Sequence, residues 1–364
     1  MSENLTVNKK QTKKVKEPKI KKPKVTMAER IDNLKTLFKN LASSSVETRY
    51  KAIKTVNKAI VSLCRYVILI AIGYIILYPL IFMLSAMWRT RDSFFDPSVV
   101  WITTGVTTDY VVIAWQCMEY IKSFLNTLLY EIVSAAIQIL SCALVAYGMA
   151  RFEFKEKKFL YAILFMTIIV PPTMMSLPIV QTYKQIDVLG ILGLLNDLTG
   201  IDLRINILNS VWTFYLPALF AVGIRSGIII YIYIQFFKGL PKELEEASWI
   251  DGAGPLKTFF KIALPSSGVV IMTVSVFSLV WHWNDYNNAN LYLFSNNQTL
   301  AVMLNNIETL MRNHTLKIQT GPQNPESIAI IMASCVMFVI PILVVYMILQ
   351  KNFVKSIDRV GITG

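Results

Sequence analysis

A chain of 364 residues that is 54% hydrophobic and only 16% charged, with a mean hydropathy of +0.49, excludes an ordinary soluble globular domain and points to lipid as its solvent. Its net charge of +13 does not argue for nucleic acid, because 17 of the 36 Lys and Arg fall in residues 1–65 and the rest of the chain is apolar. Four scattered cysteines, Cys64, Cys117, Cys142 and Cys335, and two histidines, His282 and His314, offer neither a disulfide framework nor a metal-ligating cluster.

Residues 1–62, rich in Lys and broken by Pro18 and Pro23, carry too little apolar surface to offset chain entropy and are expected to form a largely disordered cytoplasmic tail. Such a tail is either attracted to anionic lipid, at roughly 1 kcal/mol per basic residue near the surface, or simply solvated and orienting. No apolar segment with a small-residue cleavage site follows closely, so no signal peptide is expected.

A bilayer core of about 30 Å needs roughly 20 apolar residues in a helix, and six stretches supply them. They are 66–88, 127–150, 159–180, a fourth within 205–237, 266–283 and 327–349. Pro171, Pro172 and Pro178 predict a break at the end of the third, and Pro341 a bend in the sixth. The fourth stretch is too long for one straight span, so its first residues are expected to lie outside. With both termini cytoplasmic, the inside segments hold 28 of the 36 Lys and Arg and the outside loops 7, as the positive-inside bias demands. The reading is an all-α, polytopic membrane protein whose transmembrane domain covers 63–350, with a cytoplasmic tail at 351–364.

Polar groups inside the spans are functional candidates, since leaving one in lipid costs about 2.5–3.5 kcal/mol even on the lenient insertion scale. Glu131 and Gln138 lie seven residues apart, two helical turns, and share a face. That face lines a cavity, or Glu131 anchors the helix near the outer interface. Arg225, deep in the fourth stretch, is expected to pair with an acid or a backbone carbonyl. Trp281, Trp283, Asn284, Asp285 and Tyr286 combine aromatic faces with planar polar groups, as a sugar site does; an interfacial aromatic belt places the same tryptophans there.

The loop 239–265 is the most informative segment. Pro241 is placed as a helix start, Glu243, Glu245 and Glu246 fall in the favourable first turns, and Gly252 can supply a positive-φ stop. Pro255 then opens a second helix leading to Leu264-Pro265. A helix bearing the small Ala247 and Ser248 beside Glu246 is either a docking surface for a partner or an amphipathic helix lying on headgroups.

The run Glu246-Ala247-Ser248, Gly252 and Ile262-Ala263-Leu264-Pro265 resembles the Glu-Ala-Ala signature of permeases of binding-protein-dependent ABC importers. Phe236-Phe237, Pro241, Glu243-Leu244 and Ile250-Asp251-Gly252-Ala253 are similar to the maltose-type carbohydrate branch. Asn126-Thr127, the run from Tyr147 to Phe154, Trp283-Asn284 and the run from Gln350 to Lys355 agree. The likeness covers about residues 63–364. It departs at Ser248, where alanine is usual, at the bulky Trp249, and at 356–361, where related chains are glycine-rich.

The resemblance implies a type I ABC importer permease fold in a bacterial cell membrane and a sugar or oligosaccharide cargo, with amino acids or peptides as the alternative. It implies a second homologous permease, a dimer of cytoplasmic ATPases holding ATP and magnesium, and an extracellular solute-binding protein. Glu243, Glu246, Ala247, Ser248, Asp251, Gly252, Ala253, Leu264 and Pro265 would couple to the ATPase. Asn126, Glu131, Gln138, Trp281, Trp283, Asn284, Asp285 and Tyr286 are the candidates for the substrate path. An ion-coupled transporter would lack this loop, and an intramembrane enzyme would need catalytic groups that the spans do not supply.

No G-x-x-x-x-G-K-[ST] phosphate loop occurs in the chain. The purified chain alone is therefore expected neither to bind nor to hydrolyse ATP; nucleotide retained in equilibrium dialysis would overturn that expectation.

Overall fold

The computed structural model describes residues 45–96, 103, 105–187, 190–199, 204–315, 317–321 and 324–360, with single positions at 32, 35, 36 and 39. Most of the basic tail lies outside them. The chain divides between Leu77 and Tyr78 into two units. Helix α1, Val46–Ala86, begins within the segment assigned to the tail. From Val46 onward no proline interrupts the chain until Pro79, and helix formers such as Ala52, Lys54 and Ala59 carry the helix into the apolar run.

In the second unit the main helices are α2 (Asp109–Cys117), α3 (Tyr120–Arg151), α4 (Lys157–Ile169), α5 (Pro172–Lys184), α6 (Trp212–Leu219) and α7 (Ser226–Gly239). They are followed by α8 (Glu243–Ile250), α9 (Pro255–Ser266), α10 (Gly268–Trp283), α11 (Leu300–Asn305), α12 (Ile307–Asn313) and α13 (Pro325–Val360). Among the described residues β-structure is limited to two isolated bridges, Arg89 with Val106 and Ile186 with Ile205.

Helices α1, α3 and the 325–350 part of α13 are each long and apolar enough to cross a bilayer. Two bent pairs raise the number of candidate spans to five: α4–α5, bent by 104°, and α9–α10, bent by 80°. The first bend falls at Pro171, where the sequence predicted a break. The fourth expected span is not one helix. It consists of α6, a six-residue interruption and α7, neither helix long enough to cross alone. Ala221 and Arg225 adopt φ of 57° and 52°, a left-handed conformation that ends a helix.

Helix α3 organises this unit, packing along α7, α6 and α10. Side chains on one face of α3 bond carbonyls of α6 and of the interruption that follows it. Ser134 Oγ donates to the Phe214 carbonyl at 3.2 Å, Ser141 Oγ to that of Ala218, and Gln138 Nε2 to that of Ile224 at 2.8 Å. Apolar packing fills most of the rest. One cluster joins α2, Trp283, α11 and α13; another joins the Arg151 half of α3 to α4, α7, Phe259 and Val274.

Candidate functional site

Two polar constructions sit at opposite ends of the α3–α7 packing. The first is the loop. Helix α8 starts at Glu243, two residues after Pro241, with Glu243, Glu245 and Glu246 in its first turn against the helix dipole. Gly252 closes it at φ 75°, an open position where no neighbour would meet a Cβ, so its requirement is purely conformational. Pro255 then starts α9, as its sequence predicts.

The three acidic residues do not face the same way. Glu246 and Glu243 are exposed with Ala247, whereas Glu245 is buried and contacts Arg151 Nε at 2.7 Å, both side chains 5–6% exposed. Arg151 also donates from Nη2 to the Leu240 carbonyl at 2.8 Å. The rings of Tyr147, Phe152, Phe237 and Phe259 pack edge to face or tilted beside this pair, a low-polarity surround that strengthens it. Ser248, read from sequence with Ala247 as a small residue of a candidate docking surface, is buried, and its hydroxyl bonds Thr258 Oγ1 at 3.0 Å. The serine thus staples α8 to α9. Asp251 and Pro265 are exposed, and Ala253 and Leu264 are half-buried.

The second construction is a buried polar clip. His282 of α10 places Nδ1 2.9 Å from Glu131 Oε2 and Nε2 2.7 Å from Gln138 Oε1, with all three side chains essentially inaccessible. Gln138 spends its amide protons on the Ile224 carbonyl and Ser226 Oγ, at 2.8 and 2.7 Å, so Oε1 is an acceptor and His282 Nε2 must carry hydrogen. The contact between Nδ1 and Oε2 then holds one proton, as imidazolium with carboxylate or imidazole with carboxylic acid. Either way the pair is net neutral, which is what burial in hydrocarbon demands. Glu131 lies in a π-helical turn, Leu128–Ile132, and the Leu129 carbonyl of that turn accepts from Tyr215 at 2.6 Å. Glu131 is therefore not an interfacial anchor but part of the helix packing.

The aromatic segment separates in the same way. Trp283 is 3% exposed, donates to the Phe338 carbonyl at 3.1 Å and is covered by the rings of Phe124 and Phe338, so it has no free face for a ligand. Asp285 is buried and accepts from Asn288, and Asn126 donates to the Gln298 carbonyl at 3.0 Å. Asn284 is exposed and Tyr286 half-buried. Arg225 was expected to pair with an acid or a carbonyl. Its guanidinium lies instead 5.1 Å above the indole of the half-buried Trp281, which stacks in turn on Phe277.

Sequence reasoning did not select Arg151, Glu245, Ser226 or His282. His282 carried a usable signal, a titratable residue within an apolar run. Nothing local distinguished Glu245 from Glu246, since only packing decides which carboxylate turns inward.

Membrane helices broken at depth, with a helix-turn-helix loop locked to their ends, define a transport permease with the type I ABC importer fold. Residues 141–359 match the family described as binding-protein-dependent transport system inner membrane component, and the chain belongs to that family; it is a transport component, not an enzyme. It is 28% identical over 295 residues to the polygalacturonan/rhamnogalacturonan transport system permease YtcP of Bacillus subtilis, covering 80% of this chain and 94% of that one. To the melibiose/raffinose/stachyose import permease MelC of Bacillus subtilis it is also 28% identical, covering 69% and 79%. The maltodextrin permease MdxG of Bacillus subtilis is 26% identical, over 83% and 96%. Among solved structures, a bacterial ABC transporter involved in the import of the acidic polysaccharide alginate matches with a TM-score of 0.60 at 17% identity, covering 82% of this chain and 98% of that one, a likeness of fold.

Removing one partner of the buried Arg151–Glu245 pair leaves a desolvated charge, a loss of about 3–5 kcal/mol. Glu245→Ala and Arg151→Ala are expected to lower the thermal midpoint of the detergent-purified protein, while the swap Arg151→Glu with Glu245→Arg recovers part of it. Equal stability of wild type and both single variants would refute the pairing.

Proposed function

We propose that this chain is one of two permease subunits of an ATP-driven importer of sugars or oligosaccharides in a bacterial cell membrane. It is multi-pass with both termini cytoplasmic, and its loop 239–265 seats in a dimer of ATPase subunits that hold ATP and magnesium. An extracellular solute-binding protein delivers the cargo. The observation that carries the reading is the run of sugar permeases among the relatives, aligned over most of their length and of this chain. An amino-acid or peptide cargo finds no such support, and neither does an ion-coupled mechanism.

The geometry of α8 supports the coupling role. Its exposed face presents Glu246 beside Ala247, a carboxylate able to take a cation and a small residue that admits a partner backbone. Its buried face is bound by Glu245 to Arg151 at the end of α3 and by Ser248 to α9. When the ATPases close on ATP, a displacement of α8 passes to α3 through a buried ion pair rather than through a slack loop, and the path alternates between its two openings.

Glu246→Lys and Ala247→Trp are expected to reduce receptor-stimulated ATP hydrolysis and uptake at least about tenfold in the reconstituted importer, by repulsion and by wedging respectively. Gly252→Val should act likewise by denying the turn its positive φ. Sugar binding by the isolated receptor should not change, and the exposed Lys257→Gln should transport normally. Near-normal uptake by both Glu246→Lys and Gly252→Val would remove the loop from the coupling path. For topology, Lys242→Cys should react with an impermeant maleimide only from the cytoplasmic side; labelling from outside intact cells would contradict the orientation.

A further inference from the structure

The interruption between α6 and α7 is held on one side and open on the other. Toward α3, Gln138 holds its Ile224 carbonyl while Ser134 and Ser141 hold the adjoining α6, and a Cβ added at Gly223 would sit 3.1 Å from the Gln138 side chain, so glycine there lets the two backbones close. Ala221 and Arg225 hold left-handed conformations that cost each about 1 kcal/mol, strain that the surrounding bonds maintain. On the open side the Arg225 side chain is exposed above Trp281.

The depth of this place decides its meaning. Gln138 is thirteen residues from Arg151 along α3, which at 1.5 Å per residue is about 20 Å, and its amide bonds the Ile224 carbonyl directly. With Arg151 at the inner edge of the bilayer, as the proposed orientation has it, Arg225 falls within the roughly 30 Å hydrocarbon layer. Non-helical backbone persists at that depth only inside protein or along a polar cavity, and a cation there faces a counter-charge or water rather than lipid. The neighbouring acids are committed elsewhere, Glu131 to His282 and Asp285 to Asn288, and among the described residues no carboxylate pairs with Arg225.

We propose that Arg225 and Trp281 form a binding station on the transport path for a saccharide that carries a carboxylate, a uronate-containing oligosaccharide. The Trp281 ring, backed by Phe277 at 5.6 Å and nearly parallel to it, is a rigid platform that holds the Arg225 guanidinium over its other face. The guanidinium fork above it matches a sugar carboxylate with two parallel N–H bonds, which a neutral sugar cannot make. The carboxylate also supplies the missing counter-charge, so the arginine is neutralised only while cargo is aboard. The interrupted backbone fits the same role, since discontinuous helices at mid-membrane are where transporters place their ligands. This inference rests on the proposal that the chain belongs to a sugar importer and narrows its cargo.

The test uses the complete importer in nanodiscs, without its receptor, and two probes of one shape: trigalacturonate and its fully methyl-esterified, neutral form. Calorimetry is expected to give at least about tenfold tighter binding of the acid, the value of one charge-assisted bidentate contact. Arg225→Gln should erase that preference, Arg225→Lys should keep part of it, and Trp281→Ala, which leaves the guanidinium without its platform, should reduce it. Equal binding of the two probes by the wild type overturns the proposal, and so does an acid preference that survives Arg225→Gln. Separation of the two permease subunits in Arg225→Gln on gel filtration also overturns it, by assigning the arginine to the subunit contact. If the complete, receptor-loaded importer transports neutral oligosaccharides and Arg225→Gln leaves that unchanged, the uronate site falls while the sugar reading stands. If no saccharide of either kind stimulates its ATP hydrolysis, both fall.

Discussion

Hydrocarbon offers no hydrogen bonds, and the central part of this protein is arranged around that constraint. The α6–α7 segment gives up helical bonding at depth, and its carbonyls must find donors within the protein. Helix α3 supplies one from Gln138 to the Ile224 carbonyl in the break and, from Ser134 and Ser141 on the same helical face, two more to the adjoining α6. His282 then locks the arrangement by accepting no freedom at either ring nitrogen, between Glu131 and Gln138. The clip is net neutral and adds no uncompensated charge to the membrane. It joins three segments that are remote in sequence.

The same helix ends at Arg151, whose guanidinium holds both Glu245 of α8 and the Leu240 carbonyl. One rod thus carries a polar clip at depth and a buried ion pair at the loop. On the proposed reading this links the element that meets the ATPases to the element that borders the path. Buried ion pairs contribute little net stability against apolar substitutes, because desolvation offsets their attraction. Their value here is directional: an arginine fork and a carboxylate in a dry aromatic surround admit few alternative registers between α8 and α3.

The broken segments are related consequences of one compromise. A straight span satisfies its own backbone but presents only side chains to a passing ligand, whereas an interrupted one exposes peptide groups and can aim residues such as Arg225 outward at the cost of strain. Prolines mark the α4–α5 break. In the α6–α7 break, two residues that are not glycine hold the left-handed conformation. Tertiary hydrogen bonds therefore have to maintain it.

Much of the permease fold was legible in the chain itself because hydrophobic length, charge bias and helix punctuation act locally. Residues 66–88 and 327–349 could hardly be anything but membrane helices, and Gly252 and Pro255 announce the turn between α8 and α9. The seven-residue spacing of Glu131 and Gln138 likewise announced a shared polar face. What that face meets was not legible, since His282 lies more than 140 residues away and carries no local mark of its partners. Nor could sequence choose between Glu245 and Glu246, expose Arg225 while burying Trp283, or turn Ser248 inward toward Thr258. Each of those outcomes depends on which neighbour occupies a few ångströms of space, and that is set by the packing of helices distant in the chain, not by the residues beside them.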